Sequence, residues 1–405
     1  MIALTDNMVA AYIGSDEVTK VYLGSDLVWE KQASVLPYDA ELEYIQTDGQ
    51  AYFTLPVAPS EATDAIEITS RRTNTTTQQR YCSATGETTF QVYVNSSNRL
   101  AYSRNNNWTA MNASDRTLLG AVKHTLKVDY YAKKCSLDFY VVSIGTTSKA
   151  ATGNLRVLCP YSSYTGIIGE IYSVKFWRSG TLLYDLIPVR KNGVPYFYDK
   201  INGVLYPSEG TGTWTAGYDK KTSLSDYTQI DYIQNTSTAA NAPYIDTGIS
   251  NDATDANIQM QMTVKWNSVD SSKDQQFGST YLVAWGCYQG AWNRAYLLDD
   301  TDLTGVTPST SEYVTVKSTA FTGTPTYKCP IALFRKYQGG KRSNGDTTYV
   351  CRCSVSSYKI WVGGTLVRDF IPVIHPANVY GMWDLVEGKF YPSANSGSFT
   401  GGNLT

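Results

Sequence analysis

Two segments of the chain combine aromatic rings with amide and guanidinium side chains, a combination typical of loops that bind sugars. The first segment contributes Tyr102, Arg104, Asn105, Asn107 and Trp108. The second contributes Trp285, Tyr288, Trp292, Asn293 and Arg294. In such loops the amides and guanidinium groups bond sugar hydroxyls beside an aromatic platform, and a rigid scaffold holds them in place. Contacts between subunits use the same side chains, so both interpretations stay open.

An acidic loop at residues 299–305 is a candidate metal site. Asp299, Asp300 and Asp302 concentrate the hard oxygen ligands that Ca²⁺ prefers. Counted from Asp300, the loop resembles the first half of a helix–loop–helix calcium loop, but its twelfth position is Ser311, where a bidentate Glu is required. The alternative is a solvated acidic turn. We therefore expect no obligatory cofactor and treat Ca²⁺ as the one candidate ion.

The sequence offers little support for catalysis. A glycan hydrolase needs two carboxylates facing each other at about 5–9 Å, and the nearest local pair, Glu41 and Glu43, belongs to a segment that opens a domain. The two histidines, His124 and His375, do not lie beside a Gly-x-Ser-x-Gly turn, so an acyl-transfer triad has no recognisable motif. We expect a non-enzymatic protein, with glycan hydrolysis as an alternative.

The composition narrows the class of protein. The chain has 405 residues, a formal net charge of -2 and only 17% charged residues. Nucleic-acid binding through phosphate neutralisation is not expected because there is no basic stripe. The chain contains no run of 18 apolar residues, so no membrane span is predicted. The first 11 residues do not resemble a secretory signal. The seven scattered cysteines predict reduced and mostly buried thiols.

The chain contains an internal repeat of domain size. The segment 171–189 is similar to 357–373, and both end in an Ile-Pro-Val strand. Three anchor residues, Trp177, Asp185 and Pro188, recur at a spacing of 184 as Trp361, Asp369 and Pro372. The openings of the copies, 42–46 and 230–234, match as well, whereas the middles diverge. This pattern indicates one scaffold that carries two different sets of loops.

The elements of that scaffold are short β-strands. The segments 123–128 and 258–266 alternate apolar and polar residues with a period of two, and 137–141 predicts a further strand. Many short strands with turn residues between them predict a β-sandwich or jelly roll. We expect the aromatic residues of the repeated segment to fill the core, and Pro188 and Pro372 to lie at an edge or strand exit.

The domain boundaries follow from the repeat. We predict an N-terminal β-hairpin segment at 1–33, a first jelly-roll domain at 34–217, a linker at 218–226 and a second jelly-roll domain at 227–405. The leader repeats Gly-Ser-Asp turns near residues 14 and 24, which fits a hairpin or a small sheet. An isolated hairpin is marginally stable in water, so we expect the leader to dock on a neighbour.

The two copies resemble concanavalin-A-like, laminin-G-like jelly-roll domains. The resemblance is carried by the openings 43–46 and 231–234, and by the closing segments 185–189 and 369–373 with the Asp199 and Asp384 turns that follow. This version of the domain is similar to those in bacteriophage tail and virion surface proteins, especially of gut-bacterium phages. The leader segment 21–29 is similar to the start of such proteins.

The resemblance implies a non-enzymatic bacteriophage virion structural protein, either a capsid decoration or a tail or head appendage, with two lectin-like domains that bind host surface or mucus glycans. Residues 1–33 would join other virion proteins, and we expect a homo-oligomer in the particle, made in the host cytoplasm without a signal peptide. Neither a membrane nor a nucleic acid is expected as a partner. The alternative is a secreted or cell-surface bacterial adhesin that binds carbohydrate.

Overall fold

The computed structural model describes most of the chain. The described residues are 11–13, 16–18, 20–23, 26–30, 36–74, 78–85, 89–97, 99–104, 107–110, 122–138, 140–145, 147–159, 165–237, 242–251, 258–267, 278–280, 287–289, 295–297, 309–317, 329–338 and 350–403. Within these ranges the structure is all-β, apart from one 3₁₀ turn at Leu224–Asp226.

The leader forms two hairpins rather than one. Its strands are β1 (Ala11–Ile13), β2 (Asp16–Val18), β3 (Lys20–Leu23) and β4 (Asp26–Glu30). β1 pairs antiparallel with β2, and β3 pairs antiparallel with β4. The two strand pairs flank residues 14–15 and 24–25, which lie outside the described residues.

The first copy is a sandwich of two sheets. Its strands are β5 (Ala40–Glu41), β6 (Ile45–Asp48), β7 (Ala51–Leu55), β8 (Asp64–Arg72), β9 (Gln79–Ala84), β10 (Val92–Val94), β11 (Leu100–Arg104), β12 (Asn107–Ala110), β13 (Lys123–Asp129), β14 (Lys134–Leu137), β15 (Tyr140–Ser143), β16 (Leu155–Val157), β17 (Thr165–Gly166), β18 (Ile168–Arg178), β19 (Thr181–Lys191), β20 (Val194–Asp199), β21 (Val204–Tyr206), β22 (Glu209–Gly210) and β23 (Trp214–Ala216). One sheet runs β12-β11-β10-β9-β16-β7-β22, and the other runs β15-β14-β13-β8-β18-β19-β20-β21 with β5, β6 and β23 at its margin.

A single apolar core lies between these sheets. Phe53 and Val92 come from the first sheet, and Ile68 and Phe176 from the second; each is fully buried in the same cluster. The alternation along β13, in which every second residue is buried, follows from having one face in this core and the other outside. The predicted strand at 123–128 is thereby confirmed.

The second copy repeats the larger sheet. Its strands are β24 (Thr228–Gln229), β25 (Tyr232–Asn235), β26 (Ile245–Asn251), β27 (Ile258–Trp266), β28 (Gly278–Thr280), β29 (Cys287–Gln289), β30 (Ala295–Leu297), β31 (Val314–Lys317), β32 (Cys329–Leu333), β33 (Lys336–Gln338), β34 (Cys353–Val362), β35 (Thr365–His375), β36 (Val379–Asp384), β37 (Lys389–Pro392) and β38 (Thr400–Gly402). The main sheet runs β31-β27-β34-β35-β36-β37, with β24, β25 and β38 at its margin.

The second sandwich also has two layers. Met262 and Tyr358 of the main sheet share one buried cluster with Ile245 of β26 and Leu333 of β32, which pair with each other in a separate sheet. β27 spans 258–266 and has alternating burial throughout, as its sequence period predicts. The predicted fold class, all-β with two tandem jelly-roll β-sandwiches, is confirmed by these sheets and cores.

The predicted position of the repeated tryptophans was wrong. Trp177 and Trp361 are half-buried on the outer face of their sheets, while their neighbours Phe176 and Ile360 enter the cores. Lys127 Nζ lies 4.3 Å from the centre of the Trp177 ring, a cation–π arrangement on the outside of the sheet. Strict alternation is the reason, because Phe176 already takes the inward position.

The predicted strand at 137–141 is interrupted. Asp138 adopts a left-handed conformation with φ 56 between β14 and β15. Its carboxylate accepts the Thr125 backbone N–H at 2.9 Å and lies 2.7 Å from His124 Nδ1. Asp tolerates this conformation better than most residues, and the bonds to β13 hold the chain in a turn rather than an extended strand.

The repeated prolines lie where one strand partner replaces another. β19 pairs with β18 up to Leu186 and with β5 from Val189, so Pro188 occupies the gap between the two ladders. Its carbonyl accepts the Leu42 N–H at 2.9 Å. Pro372 accepts the Ile230 N–H at 3.2 Å in the second copy. Proline has no N–H to donate, and each proline therefore lies where its strand changes from one neighbouring strand to another. This position is close to the predicted strand exit.

Five of the seven cysteines have side chains that the structure describes, and all five are free and buried: Cys82, Cys135, Cys159, Cys351 and Cys353. The prediction of reduced, buried thiols is confirmed for these positions. Burial raises the pKa of the Cys135 thiol to about 12, so this side chain stays neutral and behaves as a small apolar residue.

Candidate functional site

The first predicted sugar-binding segment forms a hairpin. Arg104 of β11 pairs with Asn107 of β12, and Ser103 pairs with Trp108. Tyr102 is only 3% exposed and packs in the core of the first sandwich, so its prediction as an exposed sugar platform was wrong. The reason is that β11 enters the sandwich and directs this ring inward. Asn105 lies outside the described residues.

The second predicted segment and the acidic loop are described only in part. Tyr288 lies on β29 and pairs with Tyr296 of β30. The other predicted ligands of this segment and of the calcium site lie outside the described residues, namely Trp285, Trp292, Asn293, Arg294, Asp299, Asp300 and Asp302. Among the residues that are described, no group of three His, Cys, Asp or Glu side chains could hold a metal ion. Both sites therefore remain predictions.

The two sandwiches dock through the outer face of the first copy's large sheet. Lys123 at the start of β13 donates its backbone N–H to the Ala394 carbonyl at 2.9 Å, and Val122 forms a β-bridge with Asn395. The Val122 side chain is 1% exposed and belongs to the core cluster of the second copy. A residue of one domain thus completes the core of the other, which fixes their relative position.

An ion pair supports this contact from within the first copy. Arg71 Nε of β8 donates to Glu170 Oε2 of β18 at 2.7 Å, and another Arg71 nitrogen donates to the Asn395 carbonyl of the second copy. The Tyr172 hydroxyl donates to Glu170 at 2.5 Å. Burial, followed by the negative charge of Glu170, holds the pKa of Tyr172 well above its usual value. Tyr172 therefore remains a neutral hydrogen-bond donor.

The predicted linker 218–226 is ordered against both domains. The Tyr218 ring lies 4.6 Å from the His375 ring between their centres, and His375 Nε2 is 3.0 Å from the Asp219 carbonyl. Lys220 donates its backbone N–H to the Glu41 carbonyl at 2.8 Å. Burial lowers the pKa of His375, so the ring is neutral near pH 7. The linker acts as a structural wedge rather than a flexible tether.

A cleft of about 500 Å³ opens between the domains beside this wedge. Its charged and aromatic lining comes from both copies and from the linker: Glu41, Glu43, Lys123, Tyr172, Lys220, Asp246, Arg368, Glu387, Lys389 and Tyr391. Clefts at domain interfaces are frequent ligand sites, because two rigid bodies can present converging groups there.

Two groups in this cleft have pKa values shifted towards neutral pH. Burial raises the pKa of the Glu43 carboxyl, although the positive charges of Lys123, Lys220 and Lys389 oppose the rise. Burial and the nearby charge of Lys389 lower the pKa of Lys123 to about 8. Glu43 and Lys123 belong to the first copy and Lys389 to the second, so these charges interact across the interface.

Arg368 anchors the second copy's side of the cleft. Its Nε donates to the Thr247 carbonyl at 2.8 Å, and its Nη1 is 2.7 Å from Glu387 Oε1. The guanidinium is largely buried against the Tyr391 ring, 5.9 Å from its centre. These contacts hold a planar donor and an aromatic ring together at the rim, an arrangement that suits hydroxyl-bearing ligands.

The sequence interpretation missed this cleft. Its residues range from Glu41 to Ala394, and no short spacing joins them. One feature of the sequence could have indicated the cleft, because the two copies have different residues at outward positions of their matched strands. The strand pairings place Tyr313, which precedes β31, where the first copy has Lys123, and Ser356 where it has Tyr172.

Comparisons with known proteins identify no family for this chain. No family model matches it, and no curated protein matches it. Among solved structures, it is similar to mouse laminin alpha1 chain, domains LG4-5, with 11% identity and a TM-score of 0.28; the match covers 88% of this chain and 96% of that chain. In the described part of the protein, no helix has the length and apolar character needed to span a membrane.

Proposed function

We propose that the protein is a non-enzymatic glycan-binding protein whose two docked sandwiches hold a ligand in the cleft between them. The observation that carries this proposal is the cleft of about 500 Å³ lined by side chains of both copies. A site built from two fixed domains is preorganised, so little ordering is needed when a ligand binds.

The chemistry of the cleft favours a hydroxyl-rich ligand with charged substituents. Carboxylates such as Glu43 and Asp246 accept hydrogen bonds from hydroxyls, while Lys123 and Arg368 donate them. Tyr391 adds an aromatic surface. Because cationic and anionic groups alternate around the cleft, a polysaccharide that carries acidic or amino sugars fits better than a neutral apolar molecule.

The setting we propose for this binding is the surface of a bacteriophage virion, as a capsid decoration or a tail or head appendage. The sequence resemblance of the opening and closing segments supports it, and the two leader hairpins offer a separate anchoring element. Residues 1–33 would contact other virion proteins, and the protein would be a homo-oligomer in the particle. A secreted or cell-surface bacterial adhesin would use the same cleft in a different location.

Deletion of residues 1–33 tests the proposed anchor. We expect the truncated chain to keep the melting temperature of the full chain, because both cores lie in residues after 33. It should no longer be incorporated into particles when it is supplied during infection. Normal incorporation of the truncated chain would show that the leader is not the anchor.

Calorimetry of the full chain with surface polysaccharide purified from the host bacterium tests the cleft. Lys123→Met should weaken binding at pH 7 by about tenfold or more, because a charged hydrogen bond contributes about 1.5–3 kcal/mol. Lys127→Met is the matched control, since Lys127 lies on the same face of β13 over Trp177 and outside the cleft. Equal affinities of the two variants would exclude the cleft as the site.

Glycan hydrolysis is the second candidate function, favoured by the raised pKa of Glu43. A glycosidase needs one carboxyl that stays protonated near neutral pH to act as the general acid. Release of reducing ends from the same polysaccharide, lost in Glu43→Gln, would make the protein an enzyme. Binding without any release would support the non-enzymatic proposal.

A further inference from the structure

One surface of the second copy corresponds to the docking surface of the first. Ladder register sets Lys265 of β27 at the position of Arg71 in β8, and Tyr313, next to β31, at the position of Lys123. In the first copy this face contacts residues 394–395 of the second domain. In the second copy the same face borders a cavity of about 370 Å³, lined by Gln234, Lys265, Trp266, Asn267 and Arg352 among others.

The amide groups of this cavity are held in fixed positions. Gln234 Nε2 donates to Asn267 Oδ1 at 2.8 Å, and Asn267 Nδ2 donates to the Asn235 carbonyl at 3.0 Å. Asn235 in turn is 1% exposed and donates its own amide to the Cys351 carbonyl at 2.8 Å. A chain of amides that starts in the core therefore presents preorganised polar groups at the cavity wall.

The core residue beside this cavity is Trp266. It is 0% exposed and packs in the core cluster of the second copy, on the face of β27 opposite Lys265. The matching residue of the first copy is Arg72, whose Nε donates to Gln79 Oε1 at 3.0 Å. The polar lining of the cavity therefore comes from the outward residues Gln234, Lys265, Asn267 and Arg352.

Aromatic rings flank the cavity on its open side. Tyr313 is half-buried, with its ring centre 6.3 Å from that of Tyr232 and 5.2 Å from Lys265 Nζ. In the first copy the residue equivalent to Tyr232 is Tyr44, whose ring packs against Tyr172 and Tyr218. The second copy has no counterpart of these covering rings among its described residues. The Tyr313 hydroxyl is shielded from solvent, and its ring packs beside Lys265 next to the cavity.

We propose that this cavity is a second glycan-binding site, which takes a neutral hydroxyl-rich sugar, and that the chain is bivalent for polysaccharide. The inference rests on the proposed glycan-binding function. Paired amides, a guanidinium and a lysine supply the hydrogen-bonding groups that sugar hydroxyls require. Two sites on one rigid body raise the apparent affinity for a repeating polymer well above that of either site alone.

A sugar fits this face better than a protein segment does. In the first copy Glu170 orients the Arg71 guanidinium towards a backbone carbonyl of the second domain. The second copy has Lys265 in place of Arg71 and Ser354 in place of Glu170, so the ion pair that supports the peptide contact is absent at these two positions. The support for a peptide contact is therefore missing at these positions, while amide and guanidinium groups line the cavity.

Calorimetry of the full chain with short fragments of host surface polysaccharide tests the inference. We expect two fragments to bind per chain. Gln234→Ala removes one amide from the cavity wall and should weaken the second site by about tenfold. Gln234→Ala combined with Lys265→Ala should reduce the stoichiometry to one, and adding Lys123→Met should abolish binding. Lys317→Ala, on β31 beside Trp361 and outside the cavity, is the control.

The outcomes separate this inference from the proposed function. One fragment per chain, lost in Lys123→Met and unchanged in Gln234→Ala and Lys265→Ala, would overturn the second site and leave the cleft intact. Self-association of the chain that Lys265→Ala removes, with a stoichiometry of one, would instead assign the face to a protein contact. No binding of either polymer or fragments would overturn both proposals.

Discussion

The same sheet face is closed in the first copy and open in the second. In the first, residues 394–395 bridge to Val122 and Lys123, and Arg71 binds Glu170 beneath them. In the second, the matching positions border a cavity of about 370 Å³. In a duplicated scaffold, a few outward side chains therefore determine whether a sheet face forms a domain interface or a ligand site. The inward side chains are constrained by the core in both copies.

Features shared by both copies lie within the sheet itself. Cross-strand threonines pair through their hydroxyls in each, at 2.9 Å for Thr69 and Thr125 and at 3.0 Å for Thr263 and Thr315. A lysine covers each outward tryptophan. The buried carboxylates Asp199 and Asp384 each accept two backbone N–H groups and thereby fix the turn after their strands. These features specify the scaffold and not the ligand.

The largest expected effect tests the assignment of inner and outer faces. Phe176→Ala should lower the free energy of unfolding by about 3–5 kcal/mol, since this ring is fully buried in the first core. Trp177→Ala should cost less than about 1 kcal/mol, because Trp177 lies on the outside. Urea unfolding of both variants checks this prediction. A larger loss for Trp177→Ala would mean that the strand is in the opposite register.

The next largest effect is a difference in stability between variants of Arg71 and of its equivalent, Lys265. Arg71→Ala removes the partner of Glu170, whose side chain is only 6% exposed, and should destabilise the chain by about 2–4 kcal/mol. Lys265→Ala should change stability by less than about 0.5 kcal/mol, because no carboxylate occupies the matching position in the second copy. Melting curves for both variants measure the contrast, and equal losses would contradict the description of one closed and one open face.

The smallest expected effect is a pH dependence of the free energy of unfolding that arises from Lys123 on the closed face. The pKa of Lys123 is lowered to about 8 from 10.5 by burial and by Lys389. Below pH 8 the folded chain bears the full cost of a buried charge. Between pH 8 and 10.5 the unfolded chain binds more protons, so this contribution to the free energy of unfolding rises with pH.

Urea unfolding at several pH values measures this contribution as a difference between variants. Lys123→Met should exceed the parent chain in stability by on the order of 2 kcal/mol at pH 7, after allowance for solvent screening. The difference should shrink as the pH approaches 10.5. Lys127→Met, which removes a partly exposed lysine from the same strand, is the control variant. A constant difference for Lys123→Met would show that the lysine is not desolvated.

The sequence predicted the scaffold better than the sites. Burial along β13 and β27 follows a local period of two, which the sequence shows directly. The cleft could not be predicted, because Glu43, Lys123 and Lys389 meet only after two sandwiches dock. Tyr102 shows how a local pattern can mislead. Its polar neighbours suggested an exposed loop, but the residue lies on a strand that directs its ring into the core.

Hydrogen exchange of the full chain, with and without host surface polysaccharide, tests the central claim most directly. We expect slow exchange at the Lys123 amide in the free chain, since this group donates to the Ala394 carbonyl. Added polysaccharide should slow exchange further in 41–43, 123–125 and 387–391, which border the cleft. Protection confined to 104–107 or 287–297, with the cleft segments unchanged, would contradict the claim and return the site to the loops predicted from the sequence.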